Sequence, residues 1–253
     1  MPTPSDFGRQ GKPPSHPELL DWLARRFIDG GWSVKAMHRL ILLSSTYRLS
    51  SADRAENLRV DPDNVYLWKH GRRRLDAEAI RDSLLSLADT LDRSPGGPHP
   101  FPAQTTWNFT QHNPFKAEYE TRRRSVYLMT QRIQRHSFLG LFDGPDTNAG
   151  TAQRGSSTTT LQALYLLNNP FVHEQAGKFA ARLMRERTED PERVERAFLL
   201  ALSRPASEEE RTRSLEYLAQ VRQKARAAGQ PEGIGWESLA RALLLSSEFV
   251  YVD

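Results

Sequence analysis

Asp143, Asp146, Asn148 and Arg154 are the residues of this 253-residue chain whose types and spacing best suit chemistry. They fall in residues 142–160, F-D-G-P-D-T-N-A-G-T-A-Q-R-G-S-S-T-T-T. Two carboxylates three apart across Gly144-Pro145 can work as an acid and a base, or hold a hard cation together with Asn148. The full ligand series of a calcium loop is missing, so no metal site is expected. Arg154 is the only cation of the segment. Beside Gly155-Ser156 it can grip a carboxylate or sulfate with two parallel bonds, and a helix beginning near 157–159 would aim free N–H groups at the same anion. The plainer reading has both aspartates capping turns through Asx bonds while Arg154 pairs with one of them and braces the loop. Both readings stay open here.

Other chemistry-bearing groups are more scattered. Arg72-Arg73-Arg74 and Arg122-Arg123-Arg124 can bind phosphate, an acidic or sulfated sugar, or nucleic acid; pairing with the chain's own carboxylates is the alternative. Seven histidines never show the spacing that sets two ligands on one helical face. His38 is expected as half-buried packing, while His136 and His173 lie on either side of the polar loop. Trp68, Trp107 and Tyr119 can stack on a sugar or base, though isolated aromatics more often serve a core or an interface. Asn108–Thr110 fits a glycosylation acceptor and is read as chance. No Walker loop, nucleophile elbow or dinucleotide fingerprint occurs.

The scaffold must hold this loop at both ends. Its glycines, proline and Asx residues favour turns, and apolar runs at 138–142 and 161–167 would anchor it to a core. A long loop pinned to packed elements is where function usually sits. Hydrophobic residues make up 38% and charged residues 26%, which suits a globular chain. With no cysteine, disulfides, thiolate catalysis and Cys-ligated zinc are excluded. The net charge is only +4, and no apolar run is long enough to span a bilayer. The first residues, M-P-T-P-S-D-F-G, lack the features of a signal peptide.

Periodicity predicts a mainly α, multi-helix globular fold with at most a minor β element. Ser15 with Glu18 reads as a capping box for a first helix ending at Gly30-Gly31. Ser33 reads as the cap of a second helix running to Tyr47, which makes an αα-hairpin with the first. A polar stretch covers 50–64, and Asp76 is placed to cap a third helix. Residues 94–121 read as an extended connection, and Ser125 to Thr130 is the strand candidate. Helices then follow over Thr158 to Asn168, Phe171 to Arg187, from Asp190 to near Ser203, from Ser207 (boxed by Glu210) to about Ala228, and from Trp236 to Val250. We expect a single domain over 1–253, with an N-terminal helical part at about 15–92, a connecting region at 93–157 and a C-terminal helical part at 158–253. The two helical parts are expected to share one core.

Several blocks, taken in order, carry a resemblance. They are T-P-S-D-F-G-R-Q-G, P-S-H-P-E-L-L-D-W-L-A, W-S-V-K-A-M-H-R-L-I-L-L-S-S-T-Y-R-L-S-S, N-V-Y-L-W-K-H-G-R-R-R-L-D-A-E-A-I-R-D, F-D-G-P-D, L-Q-A-L-Y-L-L-N-N-P-F-V and L-A-R-A-L-L-L-S-S-E-F-V-Y-V-D. The chain resembles the C-terminal domain of unknown function of planctomycete exported, cytochrome-associated proteins, the family numbered fifteen-fifty-three among such domains. The resemblance implies upstream domains of the same polypeptide as partners, a haem module among them, and a periplasmic or exported location. It implies no cofactor for this chain, which has no C-x-x-C-H haem attachment site, and it brings no activity to carry over residue by residue.

The function is therefore left unknown at this stage, and whether the chain is an enzyme stays open. The favoured reading is a non-catalytic binding or scaffold module with a glycan or an anion as ligand. A glycan-acting hydrolase using Asp143 and Asp146 is the alternative, since such enzymes need two carboxylates across a cleft. A nucleic-acid-binding module ranks last, because acidic residues are interspersed along most helices; neither a nucleic-acid partner nor a membrane span is expected.

Overall fold

A computed structural model describes residues 3–6, 8–97, 119–132, 135–231 and 233–252. Helices take up 56% of the described residues, against two strands of two residues each among them, so the fold is mainly α. Trp107, the Asn108–Thr110 pattern and most of the connection expected at 94–121 lie outside the described residues. The chain divides into two compact units, residues 1–73 with 251–253, and residues 74–250.

The first unit contains α1 (Pro17–Asp29), α2 (Val34–Leu42) and α3 (Ala55–Val60). Pro17 occupies the first position of α1, so its missing N–H costs no helical bond. It also makes His16 the cap residue. Ser15 is thereby one residue too early for the expected capping box, and its hydroxyl pairs with His16 Nδ1 at 2.9 Å instead. Gly31 and Trp32 turn the chain in the left-handed region, and Ser33 then caps α2 by accepting from the Ala36 amide. α2 stops at Leu42, short of Tyr47. The Ser44 hydroxyl donates to the Ile41 carbonyl at 2.7 Å and accepts from the Tyr47 amide at 3.2 Å, which closes the helix. The polar stretch read as loop holds α3, followed by a turn organised by Asp61, which accepts from the amides of Val65 and Tyr66.

No residue of α1, α2 or α3 is buried. Trp22, Trp32, Leu43 and Tyr66 are exposed, and His38 is exposed as well, against the half-buried packing expected of it. A groove of about 590 Å³ has Phe27, Met37, Leu40 and Leu43 among its lining residues.

The second unit carries the core. It comprises α4 (Ala77–Leu87), α5 (Ser137–Leu141), α6 (Thr160–Asn168), α7 (Pro170–Glu186), α8 (Asp190–Leu202), α9 (Glu208–Ala227), α10 (Ile234–Leu245) and α11 (Ser247–Val250). α7 and α10 form its centre, with α4, α6, α8 and α9 packed around them. Ile80, Leu84, Phe179, Leu183 and Leu244 are fully buried there. Truncating such a ring, as in Phe179→Ala, costs about 3–5 kcal/mol through lost contacts and the cavity left behind. Ser207 and Glu210 form the expected capping box on α9, and Thr159 with Gln162 forms another on α6.

Three expectations for this unit are corrected. Ser125 to Thr130 is no strand: Ser125–Tyr127 is a 3-10 turn, because the Ser125 amide and hydroxyl both donate to Asp82 of α4 and fasten the segment by side-chain bonds. The strands among the described residues are instead β1 (Arg73–Arg74) and β2 (Tyr251–Val252), each at a boundary of the two units. The closing helix breaks at Ser246, whose hydroxyl donates to Leu243 O and accepts from the Phe249 amide, ending α10 and starting α11. Asp76 stands at the cap position of α4 without making a capping bond, and its carboxylate lies 3.6 Å from Arg154.

Candidate functional site

The polar loop runs from the end of α5 to the cap of α6, and each of its charged residues pairs with a charge from outside the loop. Asp143 has a left-handed backbone, φ 60°. One carboxylate oxygen accepts from the Ser157 amide at 2.8 Å, and the Ser157 hydroxyl reaches both oxygens at 2.9 Å. Arg74 donates to the same carboxylate at 2.8 Å and to the Phe142 carbonyl at 3.0 Å, and it also holds the Ser157 carbonyl. Partial burial raises the Asp143 pKa. The Ser157 amide and hydroxyl, together with Arg74, outweigh that and hold it below the usual carboxylate range. Gln162 closes the base of the loop by donating to Leu141 O at 2.9 Å.

Asp146 and Asn148 form a separate Asx turn. The Asn148 amide donates to Asp146 at 2.9 Å, its side chain donates to Arg132 O at 3.0 Å, and Arg135 pairs with Asp146 at 2.8 Å. The Asn148 amide and Arg135 keep the Asp146 pKa low. Arg154 meets neither aspartate. It grips Glu78 of α4 with two bonds, at 2.5 and 3.0 Å, and that pairing raises its pKa. The four residues read together from sequence are thus distributed over three internal arrangements.

Three residues of the arginine triplets are likewise engaged. Arg74 is the buried clamp just described, Arg123 lies 3.6 Å from Asp92, and Arg122 lies 3.8 Å from Glu174. His173 bonds to Leu167 O and is exposed, while Trp68 donates to Asp61 O. Among the described residues, no three His, Asp or Glu side chains gather to hold a metal ion.

A cleft of about 780 Å³ opens beside the loop, between residues 119–122, α4, α5 and the α6–α7 junction. This is the size range of small-molecule sites. Tyr119, Phe138, Tyr165 and Phe171 supply aromatic walls, and His136 stands at the α5 side. Arg81 of α4 is buried at its floor. It donates to Arg123 O at 3.1 Å and Ser125 Oγ at 3.2 Å, and it holds the Thr121 carbonyl, with Asp82 3.9 Å away. Burial lowers its pKa, although Asp82 and Tyr165 oppose the shift. Asn169 and Gln175 add carboxamides to the lining.

Sequence reading singled out Tyr119 and His136 but missed Arg81, Asn169 and Gln175. Arg81 did leave a signal. It lies four residues from both Ala77 and Leu85, on the apolar face of α4, where a charge must find buried partners. Asn169 is also the cap of α7, since its side chain accepts from the Phe171 amide at 2.9 Å.

Among curated proteins and among solved structures, no significant match is found. The model of one family does match, over residues 1–218, and it carries the description "PSD1: Protein of unknown function (DUF1553)". The chain that builds this braced loop and neighbouring cleft belongs to that family.

Proposed function

We propose that the chain is a non-catalytic binding and scaffold module of a larger exported protein. The observation that carries this is the state of Asp143 and Asp146. A glycosidase needs one carboxyl group free to give a proton and another free to attack or to activate water. Here both are consumed by backbone amides, a hydroxyl and arginines, and both are held in the ionised form. The loop serves as a brace, and the aromatic cleft next to it is the place for a ligand. The exposed apolar residues of α1 and α2 support the scaffold half of the reading, since apolar surface of that kind marks protein contact. The family resemblance supplies its partner, the upstream domains of the same polypeptide.

The test is a turnover assay on a panel of polysaccharides, paired with melting curves of Asp143→Asn and Asp146→Asn. We expect no new reducing ends, and a lowered melting temperature for Asp143→Asn. Hydrolysis abolished by either substitution at unchanged stability would overturn this reading in favour of a glycan hydrolase.

A further inference from the structure

Resting on the binding-module reading, we propose that the cleft at the α6–α7 junction binds a neutral pyranose glycan, with Asn169 and Gln175 donating hydrogen bonds to its oxygens. Gln175 is only 2% exposed. Its carboxamide oxygen accepts from Thr90 Oγ1 at 3.0 Å, and its amide nitrogen has no partner among the described residues. Thr90 does not line the cleft and Gln175 does, so the open end of the amide is the one turned towards it. Exchanging nitrogen and oxygen would leave the same arrangement, with one end anchored and one end open. That nitrogen is not shut away from solvent, so an oxygen from water or from a ligand in the cleft can meet it.

Asn169 repeats the pattern. Its oxygen caps α7 through the Phe171 amide, and its nitrogen has no partner among the described residues. Two carboxamides, each anchored at one end, therefore present hydrogen-bonding ends to one cleft. The volume far exceeds what a bridging water needs.

The rest of the lining selects the ligand class. Tyr165 and Phe171 offer apolar ring surface, which suits the C–H faces of a pyranose. The charges balance, with Arg81 and Arg122 set against Glu120 and Glu174. Arg81 is spent on carbonyl oxygens and a hydroxyl, and Arg122 faces Glu174, so no cation is left over for an anionic group. Glu120 and Glu174 can accept from sugar hydroxyls. Donors, acceptors and flat apolar surface without net charge match a neutral polyhydroxylated ring.

The experiment is calorimetric titration of the full chain with neutral trisaccharides (cellotriose, maltotriose, mannotriose and chitotriose), with trigalacturonic acid as the anionic probe. At least one neutral trisaccharide should bind with a millimolar or tighter Kd. Asn169→Asp keeps an oxygen to cap α7 but removes the N–H donors, and it should weaken that binding by about tenfold or more at an unchanged melting temperature. If that variant fails to fold, Gln175→Met provides the same comparison. Failure of every neutral trisaccharide to bind overturns the proposal, as does binding that Asn169→Asp leaves intact. Binding of trigalacturonic acid alone overturns the neutral class while leaving the binding-module reading standing. Cleavage of a bound trisaccharide would instead refute the non-catalytic reading.

Discussion

Arg74 donates to the Asp143 carboxylate at 2.8 Å, joining residues 69 positions apart, and the Arg74 side chain is only 5% exposed. A guanidinium so buried needs a carboxylate and carbonyl oxygens around it, and Asp143, Phe142 and Ser157 supply them. Asp143→Ala should therefore cost about 3 kcal/mol, because it leaves the buried charge without its counter-ion and frees the Ser157 amide. Urea unfolding reads this directly. A loss below about 0.5 kcal/mol would show that the brace is not structural.

Arg154→Ala should behave differently. Its pair with Glu78 is bidentate but partly exposed, so the loss should stay within about 1 kcal/mol. Raising the salt concentration should shrink the difference between wild type and variant further. Thermal melts at low and high salt check both points.

Gly144 tests the tightness of the turn. Its amide donates to Leu139 O at 2.6 Å, and a Cβ built there would stand 2.7 Å from the same backbone oxygen. Gly144→Ala should destabilise the chain by about 1–3 kcal/mol, since the atom in the way is backbone and must be pushed aside. An unchanged melting temperature would mean that the turn yields freely.

Acid should loosen the junction of α9 with α11. Arg204 donates to Glu210 at 2.7 Å and to Glu248 at 2.8 Å. The Arg204 guanidinium first, and then the Ser207 amide and hydroxyl, bring the Glu210 pKa down to about 2 from an ordinary 4.5. A depressed carboxylate pKa contributes stability that is fully present above 4.5 and is lost as pH falls towards 2. Melting temperature should fall through that window, and Arg204→Met should remove part of the slope. A profile for Arg204→Met parallel to that of wild type would contradict this assignment.

Where a local rule decides the outcome, the sequence was legible. Ser33, and Ser207 with Glu210, mark helix starts at the expected positions, because a cap needs only residues three or four apart. Ser125 to Thr130 failed as a strand because its fate depends on Asp82, a residue 43 positions away. Ser15 lost its cap to Pro17 and His16, and Ser246 broke a helix that apolar spacing carried through. The loop at 142–160 stood out by composition, but whether its charges face a ligand or one another depends on Arg74, Glu78 and Arg135, which spacing cannot bring together. The cleft was less visible still. Its amide donors come from one helix junction and its buried cation from another helix, and only packing joins them.

The central claim is that the ligand lies in the cleft and that the charged loop beside it is a brace. The most direct measurement is a side-by-side titration of Asn169→Asp and Arg154→Ala with the tightest-binding neutral trisaccharide. The account predicts that Arg154→Ala binds within about twofold of wild type while Asn169→Asp loses about tenfold or more. Loss of binding in Arg154→Ala with wild-type affinity in Asn169→Asp would contradict it and return the site to the loop.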